Sequence, residues 1–150
     1  MFKITEDFEL KKAFREIDQP AFEPPAEAEY PMFVTDYVTW SEPSGHRVFL
    51  VFSDPAKGEP LGIVFERGSS AVPGMCEWCH SVRSGNGVSL LLAKVDGQRR
   101  VGLHLCRNLE CQKRLSADPG ADDFPRTGNS VLERKKVLSR MAEFFRQQLV

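Results

Sequence analysis

Cys76-Glu77-Trp78-Cys79 and, 26 residues further on, Cys106-Arg107-Asn108-Leu109-Glu110-Cys111 decide how this chain folds. The first is a C-x2-C pair and the second a C-x4-C pair. Each spacing lets two thiolates face one cation, and together they supply the four sulfurs of a closed tetrahedral zinc site. The chain has 4 cysteines, and the two pairs use them all. Between the pairs, Val88–Val95 and Arg99–Leu105 have strand composition and meet at Asp96-Gly97, a hairpin step that tolerates positive φ. Beyond Cys106, residues 107–115 are expected to be helical. Knuckle (76–79), hairpin (88–105) and helix (107–115) stand in the order of a treble clef. Thiolates at a helix N-terminus gain from its dipole and free amides. The expected cofactor is therefore one structural Zn2+ per chain, on Cys76, Cys79, Cys106 and Cys111.

Three rival chemistries fit less of the sequence. Cys76 to His80 spells C-x-x-C-H, the attachment pattern of c-type haem. That chemistry needs export, and Met1-Phe2-Lys3-Ile4-Thr5-Glu6-Asp7 offers no basic segment followed by an apolar one. A redox C-x-x-C wants a helix directly after it, whereas Ser81–Gly87 has loop composition. A catalytic zinc keeps an open position, which four thiolates do not leave. His80 and His104 could each replace a cysteine, but both are simpler as residues beside the site.

Working outward, 150 residues at 41% hydrophobic and 27% charged make one ordinary globular domain. The net charge of −1 excludes a strongly basic whole-chain nucleic-acid binder. Charge is uneven, however: residues 1–70 carry 7 Lys/Arg against 13 Asp/Glu, and residues 71–150 carry 13 against 8. No apolar stretch approaches the ~20 residues of a membrane span. With no signal peptide and every cysteine in a metal pair, a cytoplasmic setting is expected.

The front of the chain reads as an accessory. Residues 5–17 have the spacing of an amphipathic helix capped by Thr5. Pro20, Pro24, Pro25 and Pro31, interleaved with Glu23, Glu27 and Glu29, make Gln19–Pro31 a solvated, extended connector. Strand signals follow at Phe33–Trp40, Arg47–Phe52 and Leu61–Phe65, separated by Pro43-Ser44-Gly45 and by Asp54–Gly58. Ser130-Val131-Leu132-Glu133 is a capping box. It opens a helix with the apolar stripe Leu138, Met141, Ala142, Phe145 and Leu149. The expected fold is α+β: an antiparallel β-sheet with an embedded treble-clef zinc finger and a long C-terminal helix. Residues 1–31 form an N-terminal helix and Pro-rich linker, and residues 32–150 the domain.

The run C-E-W-C-H, followed by a hairpin ending G-L-H-L-C-R-N-L-E-C, resembles the treble-clef domain of elongation-factor-G-binding proteins of the fusidic-acid-resistance type. That domain is often labelled an FBP zinc finger, after an older description as fibronectin-binding. The resemblance covers residues 30–150 and is most specific at the two cysteine pairs. It implies an α/β domain that binds elongation factor G and promotes its release from the ribosome. It carries the zinc ligands onto Cys76, Cys79, Cys106 and Cys111. It also implies a partner contact at Trp78 and, more loosely, at Arg99 and Arg100. Members of that kind place a helical bundle before this domain. About thirty residues precede the first strand here, too few for four helices, so drug resistance is not among the expectations.

The residues alone leave two readings of Trp78: a contact for a partner, since Trp and Arg recur at interface hot spots, or a lid packed over the metal. The expected function is non-catalytic binding of elongation factor G by a monomer, met free or on the ribosome. The alternative is a nucleic-acid or ribosomal-RNA binder using Arg83, Arg99, Arg100, Arg107, Lys113 and Arg114, with steep salt dependence. No enzyme is expected. Ser84-Gly85-Asn86-Gly87 lacks the lysine and spacing of a phosphate loop, and His46, His80 and His104 have no assignable nucleophile.

Overall fold

The computed structural model describes residues 2–71, 74–80, 82–83, 88–109, 111 and 130–149. Its strands are β1 (Phe2–Ile4), β2 (Met32–Val34), β3 (Tyr37–Ser41), β4 (Arg47–Ser53), β5 (Pro60–Ala71), β6 (Gly74–Met75), β7 (Val82–Arg83), β8 (Val88–Lys94) and β9 (Arg100–Cys106). Its helices are α1 (Asp7–Lys12) and α2 (Ser130–Phe144), the latter continued by a wider π turn over Phe145–Leu149. One antiparallel sheet runs in the order β3-β4-β5-β8-β9, and the pairs β1-β2 and β6-β7 form separate ribbons. This is the expected meander, interrupted between β5 and β8 by the excursion that carries the first cysteine pair. The α+β architecture, sheet plus long C-terminal helix, is as expected. Among the described residues no helix is long and apolar enough to cross a membrane.

Val48-Phe49-Leu50-Val51-Phe52 lies at the heart of this sheet, fully buried throughout. Side chains alternate along a strand, so Val48, Leu50 and Phe52 face one way and Phe49 and Val51 the other. A continuous apolar run therefore needs a coat on both faces. The first coat is α2: Val137, Leu138, Met141, Ala142, Phe144, Phe145 and Leu149 pack with Ile63, Phe65 and Leu91. The apolar stripe expected on this helix is buried as a whole.

The second coat is the head of the chain, and it corrects the reading of Gln19–Pro31 as a solvated connector. Ile4, Leu10 and Phe14 bury against Phe49, Val51 and Val64. Phe22, inside the supposed connector, stands 5.5 Å from Phe14 and 6.3 Å from Trp40 between ring centroids. Trp40 Nε1 donates to the Glu23 carbonyl at 2.8 Å. β1 pairs with β2 in the register Phe2↔Val34. The physical reason is burial: each Phe or Leu sealed this way contributes about 1.5–3 kcal/mol, enough to draw a proline-rich segment onto the sheet.

Other expectations change locally. The helix expected over 5–17 ends at Lys12, because the Ala13 carbonyl turns to accept from Gly62 N–H at 2.8 Å. Thr5 does not cap it. Glu6 occupies the cap position without a side-chain bond, and Thr5 donates its hydroxyl to the Glu9 carboxylate instead. Phe33–Trp40 divides into β2 and β3, which belong to different sheets. At Asp96-Gly97 the connection is longer than a two-residue turn: Val95 N–H reaches the Arg99 carbonyl. The positive-φ residues do not include Gly97. Asp96 organises the loop by accepting from the Gln98 and Arg99 amides at 2.8 and 2.9 Å, which holds its carboxyl below its ordinary pKa. Arg107–Leu109 is a 3-10 turn. The continuation of that helix to Leu115, and the side chains of the capping box, lie outside the described residues.

Candidate metal centre

The knuckle is built by β6, the turn at Glu77–Cys79, and β7. Cys79 N–H donates to Cys76 Sγ at 3.5 Å, and His80 N–H closes the turn on the Cys76 carbonyl at 2.9 Å. The second pair starts where β9 ends and passes through the Arg107–Leu109 turn to Cys111. Both turns contain a non-glycine residue in the left-handed region, His80 at φ 59° and Leu109 at φ 56°. Tyr37 supports the second from below: its hydroxyl donates to the Leu109 carbonyl at 2.9 Å, from 72 residues away in sequence.

These two turns bring all four sulfurs within 4.8 Å of one another, and all four side chains are buried. Cys76 and Cys111 lie 3.7 Å apart, Cys79 and Cys106 3.5 Å. A tetrahedron of sulfurs about 2.3 Å from a cation has edges of about 3.8 Å, so the donor set fits a soft, four-coordinate metal. The four thiols also perturb one another's proton affinity. Cys76 is drawn below its ordinary pKa by hydrogen bonding from Cys106 and then Cys111. Cys111 is pushed well above its own by its bonds with Cys106, Cys76 and Cys79 and by burial. Cys106 is also raised: its bond with Cys111 pulls the other way, but the bonds with Cys76 and Cys79 and burial outweigh it. Metal binding at such a cluster is coupled to release of thiol protons.

Trp78, expected as a partner contact or a lid over the metal, has its side chain buried in the core. It is 3% exposed, with its ring centroid 5.9 Å from that of Phe65 and 6.0 Å from that of Phe144. Its carbonyl accepts from Arg140 of α2, so helix and sheet both grip the knuckle. Arg99 and Arg100 are exposed, at 74% and 51%, and paired with Asp96 and Glu66. They stand at the far end of β9 from Cys106, about 20 Å away at 3.3 Å per residue. No single patch joins them to Trp78. His80 is exposed outside the sulfur cluster, and His104 faces Glu77 at 4.0 Å on the surface. Arg83 has no described side chain, and Lys113 and Arg114 lie outside the described residues. Tyr37 and Arg140 escape a sequence reading because nothing local marks a residue that supports a turn 72 or 62 positions away.

The fold is similar to that of a solved structure of the fusidic acid resistance protein FusC, with a TM-score of 0.55 and 21% identity. The similarity covers 77% of this chain and 54% of that one, so this chain spans about half the length of that protein. No curated protein matches the sequence. The family model of the FBP C-terminal treble-clef zinc finger matches residues 13–148. It begins inside the head, where Phe14 meets Gly62, and not near residue 30. A match that runs from that contact to the closing turn after α2, through both cysteine pairs, means that this chain belongs to the FBP C-terminal treble-clef zinc-finger family.

Proposed function

We propose that this chain is a non-catalytic binding module for translation elongation factor G, kept in shape by one structural zinc ion on Cys76, Cys79, Cys106 and Cys111. The observation that carries the reading is the convergence of four buried thiols in a chain matched by this family over nearly its whole length. Four thiolates fill zinc's coordination and leave no site for substrate or water, which favours a structural role over a catalytic one. The likeness to a fusidic acid resistance protein adds the translation factor as the partner to test. Arg99 and Arg100, exposed on the hairpin, are the partner-facing residues in this reading. Trp78 serves it indirectly, by fixing the knuckle. The chain acts as a cytoplasmic monomer.

The deciding experiment is a pull-down from cell lysate, with and without ribonuclease. Retention of elongation factor G that survives ribonuclease supports the reading. Retention of RNA alone, falling steeply with salt, replaces it with the nucleic-acid alternative.

A further inference from the structure

The two edges of the main sheet are treated differently. Beside the β3 edge, the Trp40 indole is tied to the Glu23 carbonyl of the proline-rich segment. At the β9 edge, among the described residues, one position is occupied. Glu77 N–H donates to the His104 carbonyl at 2.8 Å, and His104 N–H donates to Glu77 Oε2 at 2.6 Å. Backbone groups alternate sides along a strand, so Arg100 and Gly102 turn theirs outward as His104 does. The same alternation turns the backbone groups of Val101, Leu103 and Leu105 toward β8. Among the described residues nothing pairs with the outward amides and carbonyls of Arg100 and Gly102.

The surface beside this edge has a readable chemistry. Gly102 has no side chain, and Leu90 and Leu92 lean over it: a Cβ there would stand 3.0 Å from both. The face at Gly102 is therefore apolar up to the edge. Two residues away on the same face is Arg100, half exposed, with a 3.5 Å contact to Glu66. His104 follows Gly102 at the same spacing, half exposed. A second copy pairing antiparallel about Gly102 would set Arg100 against His104 and lodge against Glu77, which disfavours self-association. An acidic side chain, by contrast, is already the group seated at His104.

We propose that the outer edge of β9 at Arg100–Gly102 is a strand-addition site for an extended segment of a partner protein. That segment carries an acidic side chain facing Arg100 and, two residues away, an apolar one resting on Leu90 and Leu92 over Gly102. Main-chain pairing supplies the grip and the acidic-x-apolar spacing supplies selectivity. The inference rests on the reading of the chain as a protein-binding module and names how it binds.

The test uses the metal-loaded full chain, labelled with nitrogen-15, and a capped nonapeptide of threonines interrupted by Glu and Val two positions apart. Gly102→Pro removes the outward amide and leaves the β8 ladder intact, because that amide faces solvent. Gly102→Ala adds a comparable Cβ but keeps the amide, and so controls for crowding of Leu90 and Leu92. Metal content and circular dichroism confirm that each variant is folded. The peptide is expected to shift and protect the Arg100 and Gly102 amides. Gly102→Pro should bind it at least about fivefold more weakly than Gly102→Ala, the effect of losing one hydrogen bond. Arg100→Glu should weaken it similarly, and a peptide with Lys in place of Glu should not bind. Undisturbed Arg100 and Gly102 amides, or equal binding by the proline and alanine variants, overturns the proposal. Both variants are then tested with elongation factor G. Equal retention of the factor by the two overturns the edge as its grip while the module reading stands. Peptide binding at β9 with no retention of the factor by any form keeps the edge site and removes the factor.

Discussion

Arg15 donates from Nη1 to the Leu149 carbonyl at 2.8 Å and so ties the head of the chain to its last helical turn. The same guanidinium reaches the Lys94 carbonyl at 2.5 Å and pairs with Asp18 at 3.0 Å. One side chain thus joins three segments that meet nowhere else in sequence: the head, the end of β8, and the C-terminus. Asp18 is 3% exposed, and burial lifts its carboxyl pKa despite the opposing pull of Arg15.

The head is consequently a structural part of the domain. Deleting residues 1–25, the segment that reads as an accessory in the sequence, should expose Phe49, Val51 and Val64 and lower stability by several kcal/mol. Arg15→Ala alone should cost about 3 kcal/mol, because it strands the buried Asp18 carboxyl and the carbonyls of Lys94, Val95 and Leu149. Gly62→Ala should cost about 1–3 kcal/mol, since its Cβ would lie 2.6 Å from the Phe14 ring. Urea denaturation of the three variants measures this. Unchanged midpoints would return the head to the status of an appendage.

Metal analysis of protein purified without chelator should give about one zinc per chain. Cys106→Ser should abolish that content and lower the melting temperature by more than about 5 °C, because metal-binding energy in such a site is folding energy. A well-folded, metal-free protein would contradict both statements.

Trp78→Ala should act on stability, costing about 3–5 kcal/mol for a buried aromatic. Association of the fraction that remains folded with elongation factor G should be unchanged in rate. Calorimetry below the melting transition separates the two effects. A loss of affinity with unaltered stability would restore Trp78 as a contact.

The two left-handed residues should respond oppositely to glycine. His80 is exposed, so His80→Gly relieves the cost of a positive φ, about 1 kcal/mol, and raises the melting temperature by a few degrees. Leu109 is 1% exposed at nearly the same φ. Leu109→Gly forfeits a buried side chain worth about 2–4 kcal/mol and should lower it. Thermal melts of both at equal metal content check the sign.

The sequence by itself determined which cysteines cluster, the meander and the C-terminal helix. Thiolate spacing, turn residues and apolar periodicity are local signals, and each cysteine pair sits within six residues. Val48–Phe52 also carries a sign of its surroundings, since an unbroken apolar strand implies cover on both faces. What covers it was beyond local reading. The proline-rich segment looks solvated by composition, yet Phe14, Phe22 and Trp40 together bury enough surface to dock it. Trp78 was undecidable for the same reason. A tryptophan between two ligands faces outward or inward according to whether Phe65 and Phe144 leave room for it, and those residues come from a strand and a helix on either side of it in sequence. Burial is settled by what arrives from far along the chain, and only the tertiary structure contains that arrival.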